Sequence, residues 1–249
     1  TLKFTPGSNH LYSNVGYWIL EMVIENVTGK SYVGVYMEQI ALPLGLEDGA
    51  NGGKITFEIN EQQKCALATG HTCRYSIQTF IFRLLTPKKY WVAPNNSTKW
   101  SGHPTLIPHG LGYGGMYASV SGLKTILADL LKGLDLIFPN EGEEMHDTKK
   151  VRSGVLLSLE SKKEMFGLSD NNSPLGWSEG SILVGGKQQH FFSKPGGGLG
   201  YHGNIRVYPH LGMASVFLCN GTGVDAGEIN DRSDCLDTEH LEKNALAIR

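Results

Sequence analysis

The sequence has no C-x-x-C pair, no H-E-x-x-H and no apolar run approaching the length of a bilayer span. Its four cysteines, Cys65, Cys73, Cys219 and Cys235, stand far apart. They read as buried or free thiols rather than a metal cage or disulfide framework. Nine histidines are scattered with no ligand-like pairing, so neither a metal nor any other cofactor is expected. No sign of charge dominates: 22 Lys and Arg against 24 Asp and Glu leave a formal charge of −2. A basic footprint for nucleic acid is therefore missing. Methionine does not open the chain and no signal-peptide pattern precedes TLKFTPGSNHLYSN. That abrupt entry reads as a fragment or processed product, for which the lack of a targeting segment says nothing about compartment.

What is present suits a globular core. A length of 249 residues with 40% hydrophobic and 18% charged content fits one large domain or two small ones. Residues 5–14 are turn-rich, and from Val15 the apolar positions Ile19, Leu20, Val23, Ile24 and Val27 recur at helical spacing until Gly29. Asn14 sits where an N-cap belongs. A second amphipathic stretch covers Tyr32 to Ile40. Residues 75–85 are apolar enough for a helix, and 92–110 are loop by composition. A helix is expected from about Ser121 to Lys132, a polar stretch over 139–153, and a short helix over Leu156–Lys163.

From Gly176 the period shifts to strands: four short runs separated by turn residues suggest an antiparallel meander. Residues 234–248 read as a closing helix over that sheet. The layout is α+β. Residues 1–175 form a mostly helical region with an irregular insertion, and 176–249 the strands and last helix, in one fold rather than two independent domains.

Two glycine motifs invite a nucleotide reading. GLGYHG at 198–203 and GLGYGG at 110–115 both fit G-x-G-x-x-G. A dinucleotide loop needs a strand before it and a helix after it, because the helix N-terminus holds the pyrophosphate. GLGYHG is followed by the strand-like NIRVYP, and GLGYGG follows a loop, so neither has the flanks. Ser121 and Lys124 lie one helical turn apart, as a nucleophile and its base would. Ser121 also precedes an apolar-periodic helix, and the capping role is the commoner one.

Tyr12-Ser13-Asn14 places a phenol and a carboxamide two residues apart, where alternate side chains point the same way. Tyrosine relays a proton when a cation is near, and asparagine holds an amide through donor and acceptor together. The plain alternative is a packing tyrosine and a capping asparagine. SKPGGGLGYHG at 193–203 sets a lysine beside bare backbone, which suits a strand edge lying against a substrate.

With both stretches considered together, the chain resembles the serine β-lactamase-like family: class C β-lactamases, penicillin-binding DD-peptidases and related esterases. Residues 4–46 resemble its Y-x-N segment and following helices. Residues 112–131 resemble its glycine turn and helix, and 193–223 its K-T-G or H-x-G strand with the two strands after it. The weaker middle, ALATGHTCRYSIQTFIFRLLTP, resembles an insertion of some bacterial members. The resemblance implies a β-lactamase/transpeptidase-like fold and a serine hydrolase acting through an acyl-enzyme. Its substrates would be β-lactams, D-Ala-D-Ala peptides or esters, that is, a small molecule or peptide.

It also implies Tyr12, Asn14 and Lys194 as catalytic groups, and Gly196 and Gly197 as oxyanion and substrate-binding positions, with the Gly197 N–H as half of the oxyanion hole. Pro195 replaces the usual threonine or serine and removes one carboxylate-binding hydroxyl. The family's nucleophile is the serine of S-x-x-K, upstream of Y-x-N. Only eleven residues precede Tyr12, and none is that serine. The first strands, the nucleophile helix and its serine are therefore expected outside this chain, which alone should be inactive and either poorly soluble or partner-dependent. A non-catalytic ligand-binding protein on the same fold is the alternative. The resemblance suggests a periplasmic or envelope location.

Overall fold

The computed structural model describes residues 3–47, 54–60, 63, 66–73, 75–85, 100–103, 110–138, 154–168, 173–184, 186–198, 200–222, 228–229, 231–232 and 234. Ser13, not Asn14, caps the first helix, α1 (Asn14–Thr28): its Oγ accepts the Gly16 N–H at 3.0 Å, and Asn14 is already helical. A shorter oxygen-bearing side chain in extended backbone satisfies the orphan donor directly. Gly29, at φ 66°, ends the helix and donates to the Glu25 carbonyl.

The second helical stretch is broken into α2 (Tyr32–Tyr36), a π-helical turn over Met37–Ala41 and a last turn over Leu42–Leu44. Pro43 explains the break, because it has no N–H to donate and its ring crowds the preceding turn. Two short pairs follow. β1 (Ile55–Thr56) lies against β4 (Tyr117–Ala118), and β2 (Gly70–Cys73) against β3 (Trp100–His103), both antiparallel. Residues 92–110 were expected as loop, yet 100–103 form β3, because strand pairing supplies bonds that local composition does not reveal.

Helix α3 (Ile77–Leu85) falls inside the expected 75–85. Helix α4 (Val120–Leu131) is capped by Ser119 rather than Ser121. Ser119 Oγ accepts from Gly122 N–H at 3.0 Å and from Lys54 N–H at 2.9 Å, so it caps the helix and ties it to β1. Ser121 lies inside the first turn, its Oγ 3.2 Å from that of Ser119. Helix α5 (Leu159–Met165) begins later than expected, behind the cap Ser158. The polar 139–153 stretch lies outside the described residues, as does the expected closing helix beyond Asp234. Of the cysteines, Cys73 and Cys219 are free thiols; Cys65 and Cys235 lie outside the described residues.

The meander is present as one antiparallel sheet in chain order: β5 (Ser178–Val184), β6 (Lys187–Gly198), β7 (Tyr201–Tyr208) and β8 (Met213–Cys219). One face packs on α4. Leu123 joins Tyr36, Leu46, Ile55 and Phe57 in one buried cluster, while Leu127 and Leu130 join Phe166, Phe192 and Val207 in another. Ile205 and Val216 touch both clusters, so the sheet and the first helices share a core. Each fully buried aliphatic side chain contributes about 1.5–3 kcal/mol. Within the first cluster the Tyr36 hydroxyl donates to the Ile55 carbonyl at 2.9 Å, and burial pushes its pKa up to about 12.

The opposite face holds a polar network. Arg206 Nη1 reaches Asp231 at 2.7 Å and Asp234 at 3.3 Å, and the Tyr208 and Ser215 hydroxyls donate to Asp234 at 2.6 and 3.0 Å. Burial, and then the Asp234 carboxylate, hold the Tyr208 phenol well above its ordinary range, so it acts as a donor at any physiological pH.

A third polar staple fixes the chain after α4. The Asp129 carboxylate is buried and accepts N–H groups of Val155 at 2.8 Å and Leu156 at 3.0 Å, with Lys132 Nζ at 3.1 Å. Burial alone would raise its pKa, but the Leu156, Val155 and Lys132 donors outweigh that and hold it below the usual carboxylate value. Lys162, fully buried, donates to the carbonyls of Asp129 at 3.1 Å and Lys132 at 2.8 Å. A depressed carboxyl pKa contributes stability that is complete above the unfolded value and lost as pH falls through the folded one. Asp129→Asn is expected to cost about 1–3 kcal/mol at neutral pH and to flatten the acid limb. Urea unfolding at pH 7 and pH 3 checks this. An acid limb of unchanged slope in the variant would remove Asp129 from that role.

Candidate active site

Ser13 sets the local geometry at the start of α1. As the cap it holds extended backbone, which leaves Tyr12 and Asn14 on either side of the turn. The Tyr12 hydroxyl donates to Asn14 Oδ1 at 2.7 Å, and Tyr12 is 77% exposed. The phenol and carboxamide expected to share one cleft are therefore side by side at the helix N-terminus.

Lys194 comes from the far end of β6. The pairing of β5 with β6 stops at Ser178 opposite Ser193, while β7 continues alongside β6 to Tyr201 opposite Gly198. Residues 194–198 thus project beyond β5. Tight turns at both ends of β6, closed by Val184 opposite Lys187 and by Gly198 opposite Tyr201, set the alternation of the ladder. Residues 187, 189, 191 and 193 turn their backbone groups to β5, and the even-numbered residues turn theirs to β7. Pro195 and Gly197 continue the first series past the end of β5. Pro195 therefore loses no ladder bond through its missing N–H, and the Gly197 N–H and C=O face an edge with no strand partner among the described residues. A Cβ at Gly196 would meet no atom within 4 Å, so that side of the edge is clear for a ligand.

The structure brings Lys194 to α1 through Tyr17 rather than Tyr12. Lys194 Nζ lies 2.9 Å from the Tyr17 hydroxyl, 2.6 Å from the Gly176 carbonyl and 4.7 Å from the Tyr17 ring centre. Tyr17 follows Asn14 by three residues, one turn along the same helix, so the ammonium stands against the first turn of α1, which begins at Asn14 just after Tyr12. Gly176, at φ 74°, has to be glycine here: a Cβ would sit 2.7 Å from the Tyr17 hydroxyl and 3.3 Å from Lys194 Nζ. The sequence reading missed both residues. The helical spacing from Asn14 to Tyr17 was the available signal; Gly176 carried none beyond its turn position.

GLGYGG at 110–115 has a structural purpose in place of a nucleotide. A Cβ on Gly112 would lie 2.5 Å from the Tyr17 carbonyl, and the Gly112 N–H donates to Glu21 at 2.8 Å. The glycine turn lets that segment close on α1 and fix the helix carrying the site. Ser121 and Lys124 lie on α4, where Ser121 sits beside the cap Ser119 at the β1–β4 pair. Among the described residues, neither has a hydrogen bond to Tyr12, Asn14, Tyr17 or Lys194. The arrangement can offer an ammonium, a phenol, a carboxamide and an edge N–H to a substrate carbonyl or carboxylate.

The sequence model of the family described as Beta-lactamase matches residues 1–236. Over 47 residues the chain is 43% identical to a D-alanyl-D-alanine-carboxypeptidase/endopeptidase, AmpH, of Escherichia coli, a match covering 19% of this chain and 12% of that protein. Among solved structures it resembles FmtA from Staphylococcus aureus, with TM-score 0.57 and 19% identity over 92% of this chain and 50% of that one. It also resembles the octameric penicillin-binding protein homologue from Pyrococcus abyssi, with TM-score 0.59 and 19% identity over 95% of this chain and 44% of that one. The chain therefore spans about half the length of these structures, with which it shares a mixed α+β fold of the β-lactamase/transpeptidase type. On the match across residues 1–236, this chain belongs to the beta-lactamase family.

Proposed function

We propose that this chain carries the substrate cleft of a serine hydrolase that cleaves D-Ala-D-Ala peptides, β-lactams or esters through an acyl-enzyme, and that its Ser-x-x-Lys nucleophile lies in a segment preceding Thr1. The observation that carries the reading is the open β6 edge at 194–198, with its Gly197 N–H outward and Lys194 set against α1. The named activity of the Escherichia coli relative, a D-alanyl-D-alanine carboxypeptidase, supports the peptide class.

In this scheme the serine Oγ attacks the substrate carbonyl, the Gly197 N–H donates to the developing oxyanion, and the C–N or C–O bond breaks. Tyr12 takes the serine proton and delivers it to the leaving group. Water then attacks the acyl-enzyme and releases the acid. Asn14 holds a substrate amide, Lys194 supplies positive potential for an anionic substrate, and bare Gly196 lets the substrate lie close to the strand. Pro195 lacks the hydroxyl that would bind a substrate carboxylate, which favours esters over β-lactams.

Two surfaces support a preceding segment. Helix α1 has no buried residue, and Val15, Trp18, Ile19, Met22 and Val23 are 42–60% exposed. Among the described residues, strand β8 has a ladder partner on one side only, β7. An apolar helix face and a bare sheet edge are what an additional helix and strands would cover.

The test is expression of residues 1–249 alone and joined to the segment encoded directly upstream of Thr1. The joined chain is expected to be monodisperse and to be acylated by a fluorescent penicillin, with the label on a serine of a Ser-x-x-Lys. The 249-residue chain alone is expected to aggregate and stay unlabelled. An upstream frame without such a serine, or a folded joined chain that no penicillin, ester or D-Ala-D-Ala peptide acylates, would leave the ligand-binding alternative in its place.

A further inference from the structure

We propose that the outward face of α3 is a peripheral docking surface for an anionic lipid bilayer. The helix is amphipathic, but with its polarity turned inside out. On its inward side Thr79 and Arg83 fasten it to the β2–β3 hairpin. Thr79 is fully buried, with its Oγ1 2.6 Å from that of Thr72 and 2.7 Å from the Cys73 carbonyl. Arg83 Nη2 donates to Ser101 at 2.9 Å. Its outward side is apolar: Ile77, Phe80, Ile81, Leu84 and Leu85 are 47–78% exposed, at the i, i+3, i+4, i+7 and i+8 spacing of a single stripe. Tyr75, just before the helix, is 81% exposed.

Rotating this stripe inward would break the Thr79 and Arg83 bonds, so the hairpin holds the apolar side to the outside. The hairpin is itself anchored. The His71 N–H donates to the Asn220 carbonyl at 2.9 Å, and Thr222 N–H donates back to the His71 carbonyl at 2.9 Å. The stripe is therefore presented from the body of the fold.

Charge selects the partner. Between residues 62 and 128 the sequence has seven Lys or Arg and no Asp or Glu, so the rest of the chain holds 15 of the 22 basic residues and all 24 acidic ones. A chain of net charge −2 thus concentrates positive charge in the segment that carries the apolar stripe. In the sequence Arg74 stands just before the helix and Lys88 and Lys89 just after it, and an apolar stripe flanked by basic residues is the composition of a helix that lies in a lipid interface. Nine residues are too few to cross a bilayer, and among the described residues no helix is long and apolar enough to do so. A surface-lying helix fits both its length and its charge. Unlike the hydrolase reading, this inference needs no nucleophile.

The test uses the full chain as its reading frame encodes it, in sedimentation with vesicles of phosphatidylcholine alone and with about one-third phosphatidylglycerol. Binding is expected to the anionic vesicles, to weaken in 0.5 M salt (on the order of the Debye screening that removes surface attraction), and to fall about ten-fold or more in a Phe80→Gln/Leu84→Gln variant. Both positions are exposed, so the variant should keep the parent melting temperature. A Leu175→Gln/Leu183→Gln variant, at exposed positions on neither α1 nor α3, distinguishes general stickiness from the α3 stripe, and is expected to leave the α3-dependent binding in place. Unchanged vesicle binding in the α3 variant overturns the proposal. So does loss of self-association in that variant without any change in vesicle binding, which would make the stripe a protein interface.

Discussion

A Lys194→Met variant of the joined chain is expected to be acylated about 10²–10³-fold more slowly than the parent, with an unchanged unfolding midpoint. Methionine keeps the length and much of the apolar stem but removes the charge, and with it the positive potential offered to an anionic substrate at the β6 edge. The side chain reaches out to the Tyr17 hydroxyl at 2.9 Å and the Gly176 carbonyl at 2.6 Å from a strand end that is exposed, so no buried partner is stranded by the change. Tyr17→Phe is the companion variant. It keeps the ring beneath the cation, 4.7 Å from its centre, and removes only the oxygen. If Tyr17 positions Lys194, this variant loses less, about ten-fold, and alters the pH dependence of acylation while retaining substrate affinity. Acylation of Lys194→Met within a few-fold of the parent would separate the lysine from the chemistry and leave it as a tie between β6 and α1.

Gly200→Ala is expected to destabilise the full chain by about 2–4 kcal/mol. Gly200 has φ 83°, and a Cβ there would lie 2.6 Å from the Gly70 carbonyl carbon, 2.8 Å from its Cα and 2.8 Å from the His71 nitrogen. All three atoms are backbone, so no rotamer change relieves the contact. The same approach lets the His71 N–H reach the Gly200 carbonyl at 3.1 Å. Tyr201 completes the joint, accepting from the Gly70 N–H at 2.9 Å and donating to the Ala68 carbonyl at 2.8 Å. The β6–β7 turn is thus the seat of the β2–β3 hairpin, and through it of α3. Urea unfolding should show the loss, and limited proteolysis should cut within 66–103 sooner than in the parent. Gly196→Ala provides the contrast: its Cβ meets nothing within 4 Å, so a cost below about 1 kcal/mol is expected, with any effect falling on substrate approach. Equal costs for the two variants would mean that the joint at Gly200 contributes little.

The glycine run at 198–203 shows where local reading was sufficient. GLGYHG failed as a nucleotide loop because a β-branched stretch follows it, and the structure continues it as β7. The four-strand meander was legible for the same reason: alternation and turn residues at short intervals leave few other solutions. Helices α1 and α4 were legible from their apolar period, and α3 from its apolar content. Their caps were not read correctly. Ser13 and Ser119 cap where Asn14 and Ser121 were expected, because several oxygen-bearing residues lie together and backbone conformation selects among them. Strand β3 was missed because pairing with distant β2 forms it.

The sequence by itself determined the family, the strand order and the residue types that can do acyl-transfer chemistry, since all three rest on short stretches of local pattern. Tertiary structure decided which of those residues meet. The ammonium of Lys194 and the ring of Tyr17 come from positions 177 residues apart, and the missing side chain of Gly176 leaves room for that contact. Likewise, only the hairpin beneath α3 decides that its apolar stripe faces outward, because periodicity fixes that a helix has two faces and the polar bonds of Thr79 and Arg83 fix which one turns in.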